Sequence, residues 1–110
     1  MPGIPAAVYA LTKGAINTFT QTLAYELGSF GVRVNAIAPG NVLTDKVKAY
    51  MENTPDQAKQ KLQETVKALY PLGRIGLPAE LGGIAVYLAS EQASWVTGSI
   101  INVDGGLTTN

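Results

Sequence analysis

The chain contains neither cysteine nor histidine. Zinc fingers, disulfide scaffolds, haem ligation and every catalytic triad built on an imidazole are therefore excluded together. Acid–base chemistry falls to Tyr, Lys, Asp or Glu. Charge is scarce too: eight basic and eight acidic residues cancel, and 15% of the 110 positions are charged, against about 25% in ordinary soluble domains. A neutral chain has no electrostatic footprint for gripping a phosphate backbone, which argues against nucleic-acid binding. No apolar run approaches the roughly 18 residues of a membrane span, and the start lacks the basic flank and apolar core of a signal peptide. The expected partners therefore include neither nucleic acid nor membrane, and the expected location is the cytoplasm.

What is present is apolar. Counting glycine and leaving out tyrosine, about 53% of the chain is apolar, above the usual 45–50%. A small domain exposes much of its surface, so something is expected to cover this one. Either the chain oligomerises extensively or it forms one piece of a larger fold.

From about Ala6 to Leu27 the pattern is helical, with Leu11, Ala15, Phe19, Leu23 and Leu27 at fourth-residue spacing and Gly28 as the expected stop. Val32 to Ala38 reads as a strand of a covered parallel sheet, ended by Pro39-Gly40. A loop follows. Thr54-Pro55-Asp56-Gln57 then offers a capping box with proline at the first helical position, opening an amphipathic helix whose stripe is Ala58, Leu62, Val66 and Leu69. A break from Pro71 to Leu77 leads to a helix from about Pro78 to Ser90, and Ser99 to Val103 reads as a second strand. Strands separated by helical crossovers point to an α/β fold with a parallel sheet. Two strands and three main helices are too few to close one, so the chain reads as half of an α/β domain.

The first helix agrees with this. Between Ala10 and Gly28 only Lys13 and Glu26 are charged, and the side away from the leucine stripe holds Gly14, Thr18, Gln21 and Tyr25. Contact with a neighbouring helix or subunit explains that neutrality; a tolerated neutral surface is the plainer alternative. Gly82-Gly83, costly by about 1 kcal/mol per residue inside a helix, marks either a close backbone approach or two ordinary glycines near a helix start.

Tyr9 and Lys13 stand four apart and share one helix face. A phenol with a pKa of about 10 is a poor base at neutral pH, and a nearby ammonium favours its phenolate. Such a pair can take a proton from an alcohol or return one to a carbonyl. Alone the spacing is weak: with five tyrosines and six lysines chance supplies it about 0.3 times in this length.

The order of the segments that follow carries more. Tyr9-Ala-Leu-Thr-Lys13-Gly-Ala, Val32-Arg-Val-Asn-Ala-Ile-Ala-Pro-Gly40-Asn-Val-Leu-Thr44, Arg74-Ile-Gly-Leu-Pro-Ala-Glu80, Leu88-Ala-Ser, and Val96-Thr-Gly98-Ser-Ile-Ile-Asn-Val-Asp-Gly-Gly106 closely resemble the C-terminal half of the classical short-chain dehydrogenase/reductase family. The nearest flavour is the group that includes 3-oxoacyl carrier-protein reductases and glucose dehydrogenases. The resemblance implies the C-terminal portion of a Rossmann-like doubly wound parallel sheet over residues 1–110. It also implies NAD or NADP as cofactor, an alcohol/ketone pair as substrate, and a homodimer or homotetramer.

The resemblance further makes Tyr9 the catalytic acid/base and Lys13 the residue that lowers the tyrosine pKa and binds the nicotinamide ribose. Pro39-Gly40 becomes the turn under the nicotinamide, with the Val42 main chain at the carboxamide and the Thr44 hydroxyl near the carboxamide or pyrophosphate. Ligands in open α/β sheets bind beyond the C-terminal strand ends, where this segment lies. Read without the family, Pro39-Gly40 is a strand-ending turn and Thr44-Asp45 a helix N-cap. Residues 41–71 correspond to the family's substrate lid. Arg33 reads as solvated or ion-paired, Arg74 as structural, and Trp95 as a residue packed near the last strand. Asp45, Glu52 and Asp56 show no paired arrangement, and no metal site is assigned.

The family's glycine-rich phosphate turn, its residue that selects NAD or NADP, its active-site asparagine and its substrate-binding serine have no counterpart in these residues. The first expectation is thus a C-terminal part of a longer oxidoreductase, lacking the N-terminal dinucleotide-binding half and inactive in isolation. The alternative is a non-catalytic truncated relative that serves as an oligomerisation or interaction module.

Overall fold

The computed structural model describes residues 6–109. In chain order the elements are helix α1 (Ala6–Leu27), strand β1 (Ala36–Pro39), helices α2 (Asp45–Glu52), α3 (Asp56–Leu69) and α4 (Pro78–Ala89), and strand β2 (Ile100–Val103). Short 3-10 turns lie at Gly28–Phe30, Glu91–Ala93 and Leu107–Thr109. β1 and β2 form a two-stranded sheet. The Ala36 N–H donates to the Ser99 carbonyl and the Gly40 N–H to the Val103 carbonyl, a constant register that makes the pair parallel. The chain divides into two compact units, Met1–Ala36 with Leu88–Ile101 and Ile37–Tyr87 with Asn102–Asn110.

The first unit is built on α1, whose 22 residues extend about 33 Å. It runs as far as the leucine spacing predicts, but the stop is displaced. Gly28 begins a 3-10 turn, and the left-handed residue that reverses the chain is Gly31, at φ +74°, whose N–H donates to the Gly28 carbonyl. The buried residues of α1 are Thr20 and Ala24, while Leu11 and Phe19 are 73% and 65% exposed. The buried side is thus the small-residue side, where Ala24 Cβ lies 3.6 Å from the position a Cβ would take on Gly98. Opposite α1, the segment before β1 is laced to the turn before β2. Arg33, expected to be solvated or ion-paired, donates instead to the backbone carbonyls of Val96 and Ser90 at 3.2 and 3.4 Å. Asn35 donates through Nδ2 to Val96 O at 3.0 Å and accepts the Ser99 N–H at 3.1 Å.

The strand expected from Val32 starts only at Ala36, because the Val34 N–H goes to the Thr97 hydroxyl and leaves the backbone ladder. Trp95 corrects a second expectation. It does not pack near the last strand but is 97% exposed, because the successive turns of residues 91–96 bury Ala93 completely and carry the indole outward.

In the second unit a helix, α2, stands where a loop is expected after Pro39-Gly40. α2 forms because Thr44 caps it, its Oγ1 accepting the Val47 N–H at 3.2 Å, with Asp45 favourably placed in the first turn. The capping box expected at Thr54 and Gln57 does not form. Pro55 occupies the N-cap of α3, and the Thr54 hydroxyl donates back to Tyr50 O at 2.7 Å, so Thr54 closes α2 and does not open α3. Of the α3 stripe, Leu62 and Val66 are half-buried.

α4 begins with Pro78, and the Glu80 carboxylate reaches back to accept the Leu77 N–H at 2.9 Å, half of a capping box. The same carboxylate holds Arg74 in a two-pronged pair at 2.7 and 2.9 Å, giving Arg74 the structural role read from the sequence. The Arg74 hydrogen bond, then the Leu77 N–H, bring the Glu80 carboxyl from an ordinary 4.5 down to about 2. A Cβ on Gly82 or Gly83 would meet nothing within 4 Å, so among the described residues these glycines mark no close backbone approach.

Two outcomes follow from these contacts. Asn35→Ala leaves the Ser99 N–H without its acceptor and is expected to cost about 1–3 kcal/mol in urea unfolding; an unchanged midpoint would contradict the bridging role. Glu80 titrates lower folded than unfolded, so its contribution is complete above the unfolded value and lost as pH falls through about 2. The Arg74 and Glu80 side chains are 53% and 41% exposed, so the effect is small and weakened by salt. Stability measured against pH is expected to show a shallower acid limb in Glu80→Gln than in the parent.

Candidate functional site

In the first unit, Tyr9 and Lys13 project from the first turns of α1, where the alanine-rich sequence keeps the helix regular. Their four-residue spacing brings Lys13 Nζ to 5.9 Å from the centre of the Tyr9 ring, within reach of a cation–π contact. Tyr9 is 58% exposed and Lys13 half-buried. The pair therefore places an ammonium over the ring of a largely exposed tyrosine.

In the second unit, Pro39, Gly40, Val42 and Thr44 lie where β1 runs out of the sheet. Gly40 sits in a close approach: a Cβ there would stand 3.1 Å from Asp104 Cα and 3.2 Å from Tyr70 Cε1. Beyond it the chain pairs with the segment before α4. The Gly76 N–H donates to Asn41 O at 2.9 Å and the Leu43 N–H to Gly76 O at 2.8 Å. A trans peptide directs its N–H opposite to its C=O, so the Val42 N–H faces away from Gly76, and no described residue accepts it. It is an oriented donor at a strand end. Thr44 proves to be the N-cap of α2, with its N–H donating to Val42 O at 2.9 Å; its hydroxyl proton is still free to donate. An N–H and a hydroxyl side by side are donors of the kind that an amide oxygen accepts.

Val42 also borders a recess of about 550 Å³ walled by Val47, Met51, Leu62, Val66 and Ile75, with Asn41, Gln63, Lys67 and Arg74 as its polar and charged members. On the other strand exit, Asp104 organises the Gly105-Gly106 turn. Its carboxylate accepts the Thr108 hydroxyl at 2.7 Å and the Gly106 N–H at 3.0 Å; the Thr108 hydroxyl first, and the backbone N–H groups with it, hold it below the usual carboxylate range.

One participant escapes sequence reasoning. Tyr70 sets its ring against both strand exits, and the Pro71 and Gly73 beside it signal a turn and nothing about burial. The Val42 main chain is named by the family resemblance, but the direction of its N–H depends on Gly76, far along the chain. Among the described residues no helix is long and apolar enough to cross a membrane.

A family model described as enoyl-(acyl carrier protein) reductase matches residues 2–108. Versicolorin reductase 1 of Dothistroma septosporum is 39% identical over 109 residues, which cover 94% of this chain and 41% of that protein. A 4-hydroxyisoleucine dehydrogenase solved with NADH superimposes with a TM-score of 0.82 at 33% identity, over 100% of this chain and 43% of the other. A 3-oxoacyl-[acyl-carrier protein] reductase from Brucella melitensis gives 0.75 at 41% identity, over 90% and 34%. The chain thus spans about two fifths of the curated relatives it matches, and its α/β elements are those of Rossmann-fold enzymes. With the profile matched over nearly every residue, the chain belongs to the short-chain dehydrogenase/reductase family.

Proposed function

We propose that these residues supply the proton-transfer pair and the nicotinamide-side loop of an NAD(P)-dependent oxidoreductase that interconverts an alcohol and a ketone. The observation that carries the reading is the Tyr9–Lys13 pair, on one helix face with Nζ 5.9 Å from the ring centre, in a chain of a family of oxidoreductases. Tyr9 accepts the hydroxyl proton as the alcohol is oxidised and returns it to the carbonyl oxygen in reduction. Lys13, over the tyrosine ring, favours the phenolate and, as in the family, binds the ribose hydroxyls. Pro39-Gly40 turns the chain under the nicotinamide ring, and the Val42 N–H and Thr44 hydroxyl donate to its carboxamide or pyrophosphate. When bound, the nicotinamide supplies the hydride chemistry.

Support for the cofactor comes from the relatives, one of which is solved with NADH. The aliphatic recess beside Val42 favours a substrate with an apolar body, since burial of each methylene is worth about 0.8 kcal/mol. The exposed Leu11 and Phe19 of α1 support assembly with further copies of the chain. A pure interaction module, the other reading, has no use for the Tyr9 hydroxyl.

In the enzyme that carries these residues, Tyr9→Phe is expected to lower kcat by about 10²–10⁴-fold while nicotinamide fluorescence titration shows cofactor affinity largely kept. Near-normal turnover in that variant would falsify the role and favour the interaction module. Leu62→Asp places a charge in the recess and is expected to raise KM for an apolar ketone, with a small polar ketone less affected; equal effects on both would remove the recess from the substrate site.

A further inference from the structure

Tyr70 is the largest of the few buried side chains among the described residues, at 2% exposure. It follows the last residue of α3, where its N–H donates to Val66 O at 2.9 Å and its carbonyl accepts the Gly73 N–H at 2.7 Å. Its ring reaches both strand exits. Cε1 lies 3.2 Å from the position of a Cβ on Gly40, and Cδ1 3.3 Å from that of a Cβ on Gly105. At the end of the ring the hydroxyl accepts the Asn41 N–H at 3.1 Å. A phenylalanine would fill the same space, so packing accounts for the ring and not for the hydroxyl, whose burial is costly unless it is hydrogen-bonded.

The hydroxyl acts on two successive peptide planes. The plane joining Gly40 to Asn41 is held through its N–H by Tyr70, and the plane joining Asn41 to Val42 is held through its carbonyl by the Gly76 N–H at 2.9 Å. With both planes held, the two backbone dihedrals of Asn41 are fixed. The direction of the Val42 N–H is fixed with them.

We infer that Tyr70 is a positioning residue for the nicotinamide: its hydroxyl, by holding the Asn41 N–H, aims the Val42 N–H at the place where the carboxamide is bound. The inference rests on the assignment of Val42 to the carboxamide made above. The contacts of Tyr70 are with the protein's own backbone, its hydroxyl on Asn41 and its ring beside Gly40 and Gly105. Its effect therefore falls on cofactor affinity and not on proton transfer, which belongs to Tyr9.

The test is Tyr70→Phe in the active enzyme that carries this chain, with NADH and NADPH as probes, together with the amide NMR signal of Val42. The dissociation constant of the preferred nucleotide is expected to rise by about tenfold, while kcat at saturating nucleotide falls by less than about threefold and the KM for the ketone holds. In the parent, the Val42 amide proton is expected to shift when the nucleotide is added. A shifted Val42 signal with unchanged affinity in Tyr70→Phe overturns the positioning role and leaves the loop assignment standing. A Val42 signal indifferent to the nucleotide overturns the loop assignment itself. If nucleotide affinity, ketone KM, kcat and the melting midpoint all worsen together, the hydroxyl only supports the fold, and the proposal fails on that outcome as well.

Discussion

Both units depend on one constraint, the parallel pairing of the segment around β1 with the segment around β2. In the first unit it appears as Gly98 N–H to Val34 O and Ala36 N–H to Ser99 O; in the second, as Gly40 N–H to Val103 O. These bonds join parts of the chain more than sixty residues apart. Arg33 and Asn35 reinforce them with side-chain bonds to backbone carbonyls, which water would otherwise satisfy at little cost. In the second unit the reinforcement is a buried ring, Tyr70, lodged where both strands end. Closing so long a loop costs entropy that grows only slowly with length, so a few well-made bonds and one buried aromatic suffice to hold it.

The scarcity of charge acquires a physical location. The apolar side chains that a 110-residue chain would ordinarily bury are spread over its surface, with Leu11, Ile16 and Phe19 on α1 and Val86 on α4 all exposed. The buried residues of the first unit are small ones, Thr20, Ala24 and Ala93. Large apolar side chains on a surface are tolerated singly, but a face of them marks contact with other protein. The relatives have more than as much chain again, and with it the means of covering such a face.

Much of this was legible in the sequence, wherever the signal was local. The leucine spacing of α1, the stripe of α3 and the proline that opens α4 place those helices within a residue or two, and the four-residue spacing of Tyr9 and Lys13 puts them on one face. α2 was not legible: eight residues of mixed charge carry no clear period, and the helix depends on a cap from Thr44, which read equally well as a cofactor ligand. A hydroxyl between two helices, such as that of Thr54, can serve either, and the sequence does not show that it serves the one before it. The direction of the Val42 N–H and the burial of Tyr70 are set by partners more than twenty-five residues away, beyond the reach of any pattern. The family resemblance supplied roles for Val42 and Thr44 that the residues themselves do not announce.

Trp95 is the chain's single tryptophan, and it stands almost wholly in water. Its emission is accordingly that of a hydrated indole, long in wavelength and open to quenching by small solutes. The four buried residues of the described chain contribute nothing to that signal, so intrinsic tryptophan fluorescence does not report on the core. It reports on what lies over the turn from Glu91 to Thr97. Any blue shift seen on assembly is then a statement about that corner of the first unit alone, and unfolding is better followed by circular dichroism, which reads the helices directly.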